Sequence, residues 1–145
     1  MTKRLTLTLI LTVIFSSLLF GCTGFENKEK KISEVTNIQY SDITKIVFFD
    51  GRGKNNPFTL NDKNQTNDFI KMMDRYVIKK EKKHDDFKGW IHSADFYNGD
   101  KKLMSITFTD PLEIDGNYYD IVKGQLSTEK MDNFIQSANP DWKLQ

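Results

Sequence analysis

Hydrophobic and polar positions alternate along the chain with different periods, and the periods divide it into segments. Leu5 to Phe20 is a run of sixteen uncharged residues, rich in Leu, Ile, Val and Phe, behind the basic pair Lys3-Arg4. In the stretch from Thr23 to about Thr36, Phe25 to Lys31 holds one large apolar residue, Phe25, among mixed charges. That is too little apolar surface to nucleate a core, so residues 22–36 read as a flexible tether. Val35, Ile38 and Tyr40 mark a transition into structure. From Ile43 the pattern changes to period two. Ile43-Thr44-Lys45-Ile46-Val47-Phe48-Phe49 is β-branched and aromatic, as strands prefer. Asp50-Gly51-Arg52-Gly53-Lys54-Asn55-Asn56-Pro57 is turn chemistry, and Phe58-Thr59-Leu60 forms the short return strand of a hairpin.

Period 3.6 takes over between residues 62 and 75. Asp62 is a capping residue with Gln65 three positions on. Phe69, Ile70, Met73, Tyr76 and Val77 make one apolar stripe, while Asn64, Gln65, Asn67, Asp68, Lys71 and Asp74 face away. Val77-Ile78-Lys79 opens a new strand. After the charged stretch Lys79 to Asp86, alternation returns: Trp90, Ala94 and Phe96 share a parity with His92, and Met104, Ile106 and Phe108 do so on the next strand. Asn98-Gly99 marks the tight turn between them, with a φ > 0 preference at both central positions. Asp110-Pro111 ends the second strand. Leu112-Glu113-Ile114 and Tyr118 to Val122 flank a further tight-turn pair, Asp115-Gly116. A last helix over 127–138 starts at the cap Ser127, with Leu126 stapled towards Met131, carries Met131, Phe134, Ile135 and Ala138 on one stripe, and stops before Pro140.

Strand, strand, helix, four or five strands, helix describes an α+β domain. We expect an antiparallel sheet of five to seven strands with both helices on one face. The other face is expected to be more polar, or covered by the tether or a partner. Residues 37–145 make one domain; nothing repeats internally.

The apolar run at the start changes the picture of where this domain works. Sixteen residues, diluted by three Thr and two Ser, fall short of the roughly 20 needed to cross a bilayer. A basic start, an apolar middle and a small terminal residue is the layout of a cleaved export signal over 1–21. Its end, Leu19-Phe20-Gly21-Cys22, resembles the lipobox of bacterial lipoproteins. The resemblance implies that Cys22 receives a diacylglyceryl group, that cleavage falls between Gly21 and Cys22, and that Cys22 begins the mature chain. Two acyl chains suffice for stable anchoring. The expected address is therefore the extracytoplasmic face of the cell membrane. A second resemblance is to small lipoproteins of Bacillus-like bacteria. It spans about Asp42 to Val122 and rests on Asp42-Ile43-Thr44-Lys45-Ile46, Phe96-Tyr97-Asn98-Gly99-Asp100-Lys101-Lys102 and Ile114-Asp115-Gly116-Asn117-Tyr118-Tyr119. That group brings no catalytic residues with it.

Charge and cysteine count narrow the function classes. Taking Lys3 and Arg4 from 21 basic residues, against 20 acidic ones, leaves a net charge of −1. No broad field for nucleic acid results. One cysteine, committed to lipid, allows no disulfide. No cofactor or metal is expected. His84-Asp85-Asp86 lacks the three or four converging ligands of a zinc site, and His92 reads as a sheet-surface imidazole. Asp110, Glu113, Asp115 and Asp120 read as exposed turn acids, with a weak Ca²⁺ site as the alternative. Ser93 and Ser105 sit mid-strand without a nucleophile elbow. Gly51-Arg52-Gly53-Lys54 lacks the spacing of a phosphate loop and reads as a turn. What remains is a candidate binding surface of Lys79, Lys80, Lys82, Lys83, Trp90 and His92. Its lysines serve equally as guards on an exposed strand edge. The expected function is a non-catalytic binding or accessory module at the envelope, with an unidentified envelope protein or ligand as partner. An envelope hydrolase or metal-dependent enzyme and a structural subunit of a membrane complex are the alternatives.

Overall fold

The computed structural model describes residues 28–81 and 89–144. The period-two segments form strands: β2 (Lys45–Asp50), β3 (Phe58–Leu60), β4 (Val77–Lys80), β5 (His92–Asn98), β6 (Lys101–Thr107), β7 (Leu112–Ile114) and β8 (Asn117–Lys123). The period-3.6 segments form α2 (Lys63–Met73) and α3 (Thr128–Ala138). Both helices start where a cap was expected. The Asp62 carboxylate accepts from the N–H groups of Asn64 and Gln65, and the Ser127 hydroxyl oxygen accepts from that of Lys130.

With β1 (Lys30–Lys31), the strands make one sheet in the order β1-β4-β8-β7-β6-β5-β2-β3, with every neighbouring pair antiparallel. The α+β class stands, with one strand more than expected. The extra strand is β1 (Lys30–Lys31), followed at once by a short helix, α1 (Ile32–Thr36). Both lie where a flexible tether was expected. Two interactions hold this segment in the fold. Ile32 is buried in the core. Asp74, just past α2, gathers Lys31 Nζ at 2.9 Å, the Ser33 hydroxyl at 3.3 Å and the Tyr40 hydroxyl at 3.4 Å. The ordered part of the domain therefore begins before residue 37.

Alternation assigns the faces. On β2, Ile46, Phe48 and Asp50 are buried while Lys45, Val47 and Phe49 are only partly covered. On β5, His92, Ala94 and Phe96 point the same way as these buried residues, and on β6 Met104 and Ile106 do so. Phe69 of α2 sits at the centre of the core. Its ring lies edge-on to Phe48 at 4.8 Å and also meets Phe96, Phe108 and Phe134. Since Phe134 of α3 also meets Phe48, the two helices share one face of the sheet. The opposite face is mainly polar: Ser93, Asp95 and Tyr97 on β5 lie beside Ser105 and Thr107 on β6.

The turns behave as their residues demand, with one shift. Asp115-Gly116 takes φ of 47° and 76° between β7 and β8. In the β5–β6 hairpin the central pair is Gly99-Asp100, not Asn98-Gly99, because Asn98 pairs with Lys101. An irregularity at Phe96/Tyr97 moves the register by one, and Gly99 takes the first central position at φ 57°. Among the described residues no helix is long and apolar enough to cross a membrane.

Candidate functional site

The most chemically organised place in the domain is a buried polar cluster at one end of the helix-covered face. Its first members follow from strand register. Asp50 ends β2 and is the direct partner of His92, which begins β5. Alternation turns both inward, behind Phe48 and Ala94. The turn after β2 then folds back over them. Gly53, at φ 70°, donates its N–H to the Asp50 carbonyl, and Arg52 Nε reaches Asp50 Oδ1 at 2.7 Å. Asn55 donates to Asp50 Oδ2 at 2.7 Å.

From the other side α3 contributes Asp132, buried beside Met131 and Ile135 on the inward stripe. Arg52 meets it with both terminal nitrogens, at 3.0 Å and 2.9 Å, in the paired geometry a guanidinium and a carboxylate favour. His92 Nε2 donates to Asp132 Oδ1 at 2.9 Å, and the indole N–H of Trp142 donates to the same oxygen at 3.1 Å. Trp142 is itself buried, its ring lying nearly parallel to that of His92 at 6.4 Å. The chain beyond α3 is pinned alongside, because Asn55 exchanges hydrogen bonds with the backbone of Lys143.

The electrostatics follow from these contacts. Burial alone would raise the Asp132 carboxyl, but donors on Arg52, Trp142 and His92 outweigh it and hold the group down at about 2. Burial opposes ionisation of Asp50 as well, and Arg52 and Asn55 again prevail, keeping it below the ordinary carboxylate range. The hydrogen bond to Asp132 comes first in holding Arg52 firmly charged. For His92 desolvation wins over the attraction of Asp132, so its affinity for a proton is lowered and the ring is neutral at pH 7. Two carboxylates, one guanidinium and a neutral imidazole therefore carry one net negative charge. Neutral donors on Asn55, Trp142 and His92 spread it. The cluster ties the β2–β5 end of the sheet, α3 and the C-terminal segment together. His92 lies beneath Trp142 with its Nε2 already engaged by Asp132.

The sequence-predicted residues lie as follows. Gly21, Cys22, Lys82, Lys83 and His84 fall outside the described residues. Lys79 is half-buried and Lys80 exposed on β4, which β1 pairs only as far as Ile78, leaving the lysine half of that edge uncovered among the described residues. Trp90 is 40% exposed and packs on Gly51, where an added Cβ would stand 2.2 Å from the Trp90 carbonyl oxygen. His92, expected on the surface, is 2% exposed; its inward parity places it under the helices. Lys79 and Lys80 on one side and Trp90 and His92 on the other do not form one patch. β8, β7 and β6 separate β4 from β5, a distance of about 19 Å at roughly 4.8 Å per strand.

Of the acids weighed earlier, Asp110, Asp115 and Asp120 are exposed and Glu113 is half-buried. Asp115 uses Oδ1 to accept the Ser105 N–H at 2.8 Å. Among the described residues no group of three or more His, Cys, Asp or Glu is placed to hold a metal ion. Ser105 donates to Asp95, which also pairs with Lys102 at 2.9 Å. That lysine is held protonated chiefly by its bond to Asp95, and a cationic amine cannot serve the serine as a base. Sequence reasoning missed Asp50, Arg52, Asn55, Asp132 and Trp142 as a set. One signal was present: Asp50 continues the parity of Ile46 and Phe48, an acid at a core position. No protein-family model, curated protein or solved structure matches the chain.

Proposed function

We propose that this chain is a lipid-anchored module on the extracytoplasmic face of the cell membrane, which binds an envelope ligand or protein and performs no catalysis. The observation that carries the reading is Leu19-Phe20-Gly21-Cys22 at the end of sixteen uncharged residues, with the chain's one cysteine in the final position. Two features of the domain support the non-catalytic half. His92, the one histidine among the described residues, is buried and engaged by Asp132. Arg52 and the buried acids satisfy one another.

The anchor and the domain are close in the chain. β1 begins at Lys30, eight residues after Cys22, so even fully extended chain holds it within about 28 Å of the acylated residue. The module would act at the membrane surface, not across a wide space. Metabolic labelling of the expressing cell with an alkynyl fatty acid tests the anchor. The wild-type chain incorporates the label and partitions with membranes, and Cys22→Ala abolishes both. Label retained in Cys22→Ala, or none in the wild type, refutes the anchored reading.

A further inference from the structure

On the helix-covered side a cleft of about 510 Å³ opens between the short 3-10 turn Tyr40–Asp42 and the first turn of α2. This volume falls within the range of small-molecule sites, about 300–1,000 Å³. Its lining includes Tyr40, Ile43, Asn61, Lys63, Thr66 and Asn67. Thr66 is 2% exposed, and its hydroxyl is the one buried side-chain polar atom without a hydrogen-bond partner among the described residues. Such an orphan is costly, and native structures retain few of them. Its position in the lining makes a ligand atom the natural partner. Asn61, Lys63 and Asn67, which share the lining with Thr66, are exposed.

The lining chemistry selects the ligand class. The positive end of α2 is already met by the Asp62 carboxylate, which accepts from Asn64 and Gln65, so an anion finds little left to bind. Lys63 is the one charged side chain in the lining. What remains is the two amides of Asn61 and Asn67 and the unpartnered Thr66 hydroxyl, beside the phenol ring of Tyr40 and the aliphatic Ile43; the Tyr40, Ser41 and Thr44 hydroxyls already donate to Asp74, Asp42 and the Tyr97 carbonyl. A pyranose matches that set, with hydroxyls around its rim and apolar C–H faces.

We propose that this cleft binds a neutral sugar unit of an envelope glycan and that the Thr66 hydroxyl hydrogen-bonds to it. The proposal deepens the binding-module reading and rests on it. Its test is separate, because loss of the anchor at Cys22 leaves sugar binding in the cleft unaffected.

The full chain in lipid nanodiscs, free of sugar-headed detergent, is titrated by calorimetry with tri-N-acetylchitotriose, maltotriose and inorganic phosphate. At least one sugar binds saturably and phosphate does not. Thr66→Val weakens that binding about tenfold, the scale of one lost hydrogen bond. It also raises the thermal midpoint, because the orphaned hydroxyl is gone. Thr66→Ser keeps the hydroxyl and retains binding. The proposal is overturned by phosphate binding without sugar binding, by no saturable sugar binding at millimolar concentration, by Thr66→Val binding as wild type, or by a Thr66→Val midpoint that does not rise.

Discussion

Arg52 is the residue on which the buried cluster depends. It is the sole cation between Asp50 and Asp132, and its side chain is only 12% exposed. Removing one partner of a buried ion pair leaves charge without water and without compensation, typically at about 3–5 kcal/mol. Arg52→Ala should lower the unfolding free energy by about that amount in urea titration; a loss below about 1 kcal/mol would show that the carboxylates find other partners. Arg52→Lys should recover only part of it, because an ammonium cannot span Asp50 through Nε and Asp132 through two parallel bonds at once. At this scale the sequence was least legible. Arg52 lies in a glycine-flanked turn, and nothing local distinguishes a turn arginine that folds inward from one that points to solvent. Trp142 lies past the last periodic segment, so no pattern assigned it a face.

At the scale of elements the chain was far easier to read. Caps, tight turns and apolar stripes act over three to eight residues, so the information is local. α2 begins after Asp62 and α3 after Ser127, at the positions their capping chemistry specifies. Asp62→Ala should cost about 1 kcal/mol in thermal or urea unfolding, and Asp62→Asn much less, because asparagine retains an acceptor for the same N–H groups. Equal losses for the two would shift the effect from capping to charge. The misread elements, β1 and α1, are short, with Ile32 and Val35 as their only apolar residues. Lys30–Lys31 has no strand signature of its own, and its pairing comes from β4, whose Ile78 and Val77 lie opposite. The one-residue shift at Gly99 has a similar origin, because the irregularity at Phe96/Tyr97 belongs to the pairing of two strands and not to the turn residues.

At the scale of the whole molecule the cluster makes stability depend on pH. His92 holds protons less tightly when folded than its ordinary 6.5, so below that value the unfolded chain binds more protons and stability falls with pH until the folded group also titrates. Asp132 adds a second step. Its folded value of about 2 lies below the ordinary 3.8, so its contribution is full above 3.8 and disappears as pH drops towards 2, amounting to roughly 2 kcal/mol. Urea unfolding from pH 7 to pH 2 should therefore show declining stability through both windows. His92→Gln should flatten the upper one and Asp132→Asn the lower. An unchanged profile in His92→Gln would mean that the imidazole titrates alike in both states. The sheet edges also belong to this scale: β1 has two residues and β3 three, too short to invite pairing with another chain.

The sequence by itself determined the α+β class, the two long helices with their caps, seven of the eight strands and the inward parity shared by Ala94 and Phe96, because each rests on a local period or a capping residue. It also carries the motif at Cys22 on which the proposed address rests. Only the tertiary structure decided which polar side chains meet. Asp50, Arg52, His92, Asp132 and Trp142 come from two strands or their turns, one helix and the terminal segment, up to 92 positions apart. Their convergence depends on strand order and on the packing of α3. So does the separation of the lysine edge on β4 from Trp90, which three intervening strands impose. Contacts made across the fold leave little trace in local periodicity, and that is where the buried charge and the cleft beside Thr66 were concealed.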